Sequence, residues 1–188
     1  MKYFIRDRKP RTLHTKDLNI PTKCWKLTMN EFTVRVATRN DAPVLLQFIT
    51  ELAEFEKAEH EVKTNVALIE SSLFDEESTA HALIGQIGTE PVAMAVYFFN
   101  YSTWLGRNGL YLEDLYVSPT HRGVGAGSMM LSYLAKLAID NDCGRFEWSV
   151  LDWNQPAIDV YESIGAVQQS EWVGYRLTGE ALKRLAAK

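Results

Sequence analysis

The stretch Arg122-Gly123-Val124-Gly125-Ala126-Gly127-Ser128 constrains this chain more than any other feature. It stands between a near-continuous apolar run, Leu110–Val117, and a run with helical spacing through Met129, Met130, Leu131, Leu134, Leu137 and Ala138. Glycines allow positive φ and let backbone N–H groups approach a ligand closely. At a helix N-terminus those N–H groups, together with the helix dipole, attract phosphate. Strand, glycine turn and helix in that order therefore predict a phosphate-binding turn within an α/β domain. A dinucleotide turn requires G-x-G-x-x-G, and here the third glycine falls one place early, at Gly127. A P-loop requires Gly-Lys-Ser/Thr, and no lysine follows Gly127. Both of those phosphate-binding classes are excluded.

The rest of the body alternates between element types. Phe32, Val34 and Val36 alternate with polar neighbours, which predicts a half-buried strand. Thr38, Asp41 and Pro43 read as a helix start, and Leu45, Phe48, Ile49, Leu52 and Phe55 keep helical spacing behind them. A second helix is expected from Thr64, with Val66, Ile69 and Leu73 on one face. His81–Ile87 and Val92–Phe99 flank Gly88-Thr89-Glu90-Pro91 as a hairpin. After the glycine turn and its helix come an expected strand Phe146–Leu151, a short helix Asn154–Ile164, a strand Ala166–Val173 and a closing helix Thr178–Ala187. The order predicts a single α/β domain over residues 29–188, built on a mixed sheet.

Charge narrows the function. Residues 1–28 carry eight basic residues (Lys2, Arg6, Arg8, Lys9, Arg11, Lys16, Lys23, Lys26) against Asp7 and Asp17, while the whole chain stands at −4. Residues 29–188 therefore hold a net charge of −10, which argues against nucleic-acid binding and suits a cationic substrate. The basic leader, with Pro10 and Pro21 and no apolar core, reads as an extension, with Met29 as the functional first residue. An organelle-targeting segment is the other reading. No run of 18 apolar residues occurs, so no membrane-spanning helix is expected. Cys24 and Cys143 lack CxxC spacing, and His14, His60, His81 and His121 are scattered. No metal site is expected, and a reducing, cytoplasmic compartment is.

Glu113 and Asp114 interrupt the apolar strand. Withdrawing a carboxylate from water costs several kcal/mol unless it is paired. Adjacent strand residues point to opposite faces, so the two acids are expected to have separate tasks. Asp114 reads equally as a satisfied structural acid. Tyr161, three residues after Ile158 on the short helix, is either a rim tyrosine or a phenol able to donate a proton. Asn154 is placed to cap that helix, with Pro156 and Ala157 in its first turn.

Arg122, Gly125 and Gly127 match the Arg/Gln-x-x-Gly-x-Gly/Ala loop of the GNAT superfamily of N-acetyltransferases, and the resemblance extends from about Phe32 to the C-terminus. Tyr111-Leu112-Glu113-Asp114-Leu115-Tyr116-Val117 resembles that family's acetyl-CoA strand. Asp152-Trp153-Asn154-Gln155-Pro156-Ala157 with Tyr161 resembles its second cofactor segment. Glu51-Leu52-Ala53-Glu54-Phe55-Glu56-Lys57 and Tyr101-Ser102-Thr103-Trp104-Leu105-Gly106-Arg107 resemble the diamine (spermidine/spermine) acetyltransferases, and within them the thialysine-acetylating branch. The resemblance implies a central, mostly antiparallel mixed sheet flanked by helices, and acetyl-CoA as cofactor. It implies a diphosphate on Arg122, Gly123, Val124, Gly125, Ala126, Gly127 and Ser128. The pantetheine arm would lie on main-chain groups of Leu115, Tyr116 and Val117 and near Asn154, Pro156 and Ala157. Glu113 is then the base for the substrate amine and Tyr161 the acid for the leaving thiolate. Glu56, Ser102, Trp104, Glu113 and Asp114 become the amine pocket, and a homodimer is implied.

Polyamine-acetylating relatives carry acids where this chain has Ser102 and Val173, so a thialysine- or lysine-like amine or a short diamine is expected at least as much as spermidine. A peptide or protein N-acetyltransferase, a non-catalytic acyl-CoA-binding module and a nucleotide- or phosphate-binding protein that borrows the loop are the alternatives.

Overall fold

The computed structural model describes residues 32–188; the basic leader and Cys24 lie outside the described residues. Strand β1 (Phe32–Val36) buries Phe32 and Val34, as its alternation requires, whereas Val36 at its end is exposed although it belongs to the same face. A short 3-10 turn at Arg39–Asp41 then leads into α1 (Ala42–Glu56). Asp41 fixes this entry. Its Oδ2 accepts from Thr38 N–H at 2.7 Å and from Thr38 Oγ1 at 2.9 Å, while Arg35 donates to both carboxylate oxygens at 2.7 and 2.8 Å.

Those bonds, the Arg35 guanidinium foremost, hold the Asp41 carboxyl down at about 2. A depressed carboxylate stabilises the fold above its unfolded value near ~4 and loses that contribution as pH falls through the folded value. Asp41→Asn is accordingly expected to lower the unfolding free energy at pH 7 by about 1–2 kcal/mol. Urea titrations at several pH values check this, and the gap from the parent protein should close between about pH 4 and pH 2.

Helix α2 (Val66–Phe74) begins at Asn65, whose Oδ1 accepts from Leu68 N–H at 3.0 Å. Strands β2 (Ala80–Ile87), β3 (Glu90–Ser102) and β4 (Arg107–Val117) follow as an antiparallel meander. Helix α3 (Ala126–Asp140) then leads to β5 (Phe146–Trp148), which pairs parallel to β4. The sheet runs β1-β2-β3-β4-β5, mixed and mostly antiparallel, as expected.

Helices α1 and α2 cover one face, where Leu45, Phe48 and Ile69 pack with Ile84, Met94 and Tyr116. Gly85, next along β2, serves the other face. A Cβ there would lie 2.6 Å from the Phe32 ring and 3.0 Å from Met130 Sδ of α3, so glycine is required for that helix to seat. Met130, Leu134 and Leu137 are fully buried.

A second compact unit spans Val150–Lys188, the first ending at Ser149. It holds α4 (Gln155–Ser163), capped by Asn154 Oδ1 accepting from Ala157 N–H at 3.4 Å, and α5 (Gly179–Ala186).

Two expected strands are corrected. β5 stops at Trp148 and does not reach Leu151, and Ala166–Val173 forms no strand. A strand exists only where a neighbour completes its hydrogen-bond ladder, and alternating side chains do not supply one. Trp104, expected in the amine pocket, is 89% exposed, and Trp153 is 52% exposed.

Candidate functional site

β4 carries the site because its backbone changes register there. Val96 pairs with Asp114 but Tyr97 pairs with Leu112, so Glu113 is an extra residue opposite the Val96–Tyr97 step. This β-bulge is an addition to the regular strand expected from the sequence. Glu113 is exposed and Asp114 half-buried.

The two acids are electrostatic neighbours. Burial first, then the charges of Glu113 and Glu56, push the Asp114 carboxyl up to about 6. Partial burial also raises Glu56, the last residue of α1. Three of the five expected amine-pocket residues, Glu56, Glu113 and Asp114, therefore share one electrostatic environment. The other two lie at the β3–β4 turn. Ser102 is buried with its Oγ accepting from Leu105 N–H at 3.2 Å, while Trp104 stands exposed.

Beyond the bulge β4 loses a neighbour. β5 pairs only with Leu110–Leu112, so no described strand of the sheet pairs with Glu113–Val117 on that edge. The edge of β4 along Leu115, Tyr116 and Val117 is thus unpaired by any described strand, apart from the Val117 C=O that Arg122 engages, and could take an extended ligand in the manner of an added strand. The strand ends in Ser118, a short turn at Pro119–His121, and the glycine loop.

Gly123 and Gly125 have φ of 77° and 88°, and Gly125 is the N-cap of α3. A Cβ at either glycine would have no non-adjacent neighbour within 4 Å, so the loop opens onto unfilled space. The N–H groups of Ala126, Gly127 and Ser128 precede the first bond of the helix ladder, Met129 N–H to Gly125 C=O at 3.0 Å. No acidic residue occupies the first turn of α3. Uncommitted amides, a dipole end and the Arg122 cation form a donor set that fits a diphosphate.

Arg122 is held in place. Its Nε donates to Val117 C=O at 2.9 Å, and its guanidinium carbon lies 4.9 Å from the Phe55 ring centroid and 5.7 Å from that of Tyr116. Tyr116 in turn donates its hydroxyl to Glu51 Oε2 at 2.6 Å. Sequence reading singled out neither Glu51 nor Phe55 as acting on the loop. Their i,i+4 spacing, which puts them on one face of α1, was the available signal.

In the second unit Asn154, Pro156, Ala157 and Tyr161 lie at the cap and along α4. Burial raises the Tyr161 phenol above its ordinary value, so it stays protonated at neutral pH. Among the described residues no cluster of metal-ligating side chains occurs. Burial also raises the Cys143 thiol, which disfavours a thiolate nucleophile.

Residues 45–166 match the acetyltransferase (GNAT) family, a span that runs through both units. The thialysine N-epsilon-acetyltransferase of Sus scrofa is 39% identical over 171 residues, covering 85% of this chain and all of that protein. The enzyme of that name from Caenorhabditis elegans is 35% identical over 161 residues, with 84% of this chain and 99% of the relative covered. Among solved structures, an integron cassette protein from the Vibrio cholerae mobile metagenome superposes with a TM-score of 0.71 at 24% identity, over 85% of this chain and 99% of that one. That likeness concerns the fold.

Proposed function

Because the chain belongs to the acetyltransferase (GNAT) family, it is an acetyl-CoA-dependent N-acetyltransferase, and we propose that its acceptor is a small primary amine with a second cationic group nearby. A thialysine- or lysine-like compound or a short diamine is such an amine. The observation that carries this reading is the grouping of Glu56, Glu113 and Asp114, where a half-buried carboxyl is held up to about 6 by burial and two like charges. An ammonium entering that group relieves the repulsion and gives Asp114 the counter-ion it lacks. The names of the relatives support the same choice. A longer polyamine is disfavoured, since the Ser102 hydroxyl is engaged by its own turn where polyamine-acetylating relatives are expected to present an acid.

Acetyl-CoA supplies an acetyl group activated as a thioester. In this reading Arg122–Ser128 bind its diphosphate through loop amides and the Arg122 guanidinium. The open edge at Leu115, Tyr116 and Val117 takes the pantetheine arm, and the motif match assigns Asn154, Pro156 and Ala157 to the same cofactor. An alkylammonium with pKa near ~10 is neutral in only about one molecule in 10³ at pH 7, so the nucleophile must be generated on the enzyme. Glu113 takes that proton through a bridging water, and Glu56 and Asp114 retain the remaining positive charge. Tyr161 gives its phenolic proton to the departing sulfur. We assign these roles on the strength of the motif match.

Thiol release measured across thialysine, lysine, ornithine, short diamines, spermidine and an N-terminal peptide tests the acceptor. Compact dibasic amines are expected to lead in kcat/KM, with a rise through about pH 6 as Asp114 ionises, and Asp114→Asn should remove that rise. A preference for the peptide would overturn the reading. We also propose a cytoplasmic homodimer. Val167, Trp172, Val173 and Tyr175 stand 70–95% exposed outside any strand, and a second copy would cover them. A light-scattering mass of one chain would exclude the dimer.

A further inference from the structure

The guanidinium of Arg122 is gripped from outside its own loop. Phe55 comes from the last turn of α1, Tyr116 from β4, and both rings lie within cation–π range of Arg122 at 4.9 and 5.7 Å. Tyr116 is anchored twice. Its ring packs on Phe48 at 5.4 Å between centroids, and its hydroxyl donates to Glu51 Oε2. Glu51 is itself fixed, since Gln47 Nε2 donates to its other oxygen at 2.8 Å.

The division of contacts on Arg122 is informative. Nε is used on Val117 C=O and the guanidinium carbon lies over the Phe55 and Tyr116 rings, while among the described residues neither Nη atom enters an ion pair. Glu51, the carboxylate of this network, is occupied by Tyr116 and Gln47 and not by the cation. A guanidinium donates along its edge and stacks by its face, so this arrangement leaves two donors for a planar oxyanion pair. An unconstrained arginine would lose more rotamer freedom on meeting the same anion.

We propose that Phe55, Tyr116 and Glu51 are positioning residues for the cofactor: the two rings hold Arg122 by its face with the Nη edge presented to the diphosphate, and Glu51 fixes the Tyr116 ring. The inference rests on the reading that residues 122–128 bind the diphosphate of acetyl-CoA. It makes α1 a determinant of donor affinity, although it contributes nothing to the glycine loop.

The test compares acetyl-CoA with S-acetylpantetheine, which carries the same thioester and arm but no diphosphate. Phe55→Leu is expected to raise KM for acetyl-CoA by about 2–5-fold at unchanged kcat. It should leave S-acetylpantetheine kinetics as they were, and Phe55→Tyr, which keeps a ring, should restore the parent value. Tyr116→Phe, which keeps the ring but releases Glu51, is expected to raise the ratio of KM for acetyl-CoA to KM for S-acetylpantetheine by about 2–5-fold. In an Arg122→Ala background the effect of Phe55→Leu should vanish. Equal losses with both donors would mean that the rings only support the fold, and an effect surviving in Arg122→Ala would mean they act elsewhere. Either result overturns the proposal. The underlying reading is judged separately: if Arg122→Ala by itself fails to discriminate the two donors, the diphosphate assignment falls, whatever Phe55 does.

Discussion

Tyr161→Phe is expected to lower turnover by roughly 10²–10⁴-fold while acetyl-CoA affinity stays nearly unchanged. The substitution removes one hydroxyl and keeps the ring, so α4 and its Asn154 cap have no reason to change. What is lost is a proton donor. Burial keeps the phenol protonated at neutral pH, and a raised value also means that it yields its proton only to a strong base. A thiolate, whose thiol has a pKa of ~8.5 in water, is a weaker base than that phenolate, so the transfer to sulfur requires the leaving thiolate to be raised by desolvation as well. Calorimetry with CoA and steady-state kinetics on the same preparation separate binding from turnover. A turnover within a factor of about three of the parent protein would remove Tyr161 from the chemistry and leave it as a helix-rim tyrosine.

Glu113→Gln should act on the other proton. At pH 7 we expect kcat/KM to fall by about 10²–10³-fold, because only the rare neutral amine in solution can then react. The deficit has a characteristic pH dependence. Each unit of pH raises the neutral fraction tenfold until the amine titrates near ~10, so the variant should recover steadily on the alkaline side. A loss of the same size at pH 7 and pH 9.5 would identify Glu113 as a binding carboxylate only. Reading the two substitutions together matters, since a defect at Tyr161 has no reason to be relieved by alkali.

Much of this was legible in the residues, for identifiable reasons. The glycine loop declared itself because positive φ at two positions can be met by few residue types, and Gly123 and Gly125 do adopt it. Helices α1, α3 and α4 followed from apolar period and caps, both of which are local. The bulge at Glu113 was not legible. No residue type demands it, and it is visible only as a shift in pairing against β3. The early end of β5 and the missing strand over Ala166–Val173 escaped for the same reason, since a ladder partner is a tertiary fact. The grip of Phe55 on Arg122 joins residues far apart in the chain, and only packing brings them together. Glu56, Glu113 and Asp114 were each named from sequence, but their mutual repulsion required geometry.

The extra residue in β4 has a consequence for how such a chain can change over generations. Two pairing registers meet at Glu113, one serving the buried meander and the other delivering Leu115, Tyr116 and Val117 to the open edge. Exchanging one amino acid for another along this strand leaves both registers standing. Losing Glu113 would merge the two registers into one regular ladder, with Leu112 still opposite Tyr97 and Asp114 still opposite Val96, so Tyr116 would keep its place against Phe48. Descendants of this protein could thus shed the bulge without refacing β4, but only by giving up the Glu113 carboxylate.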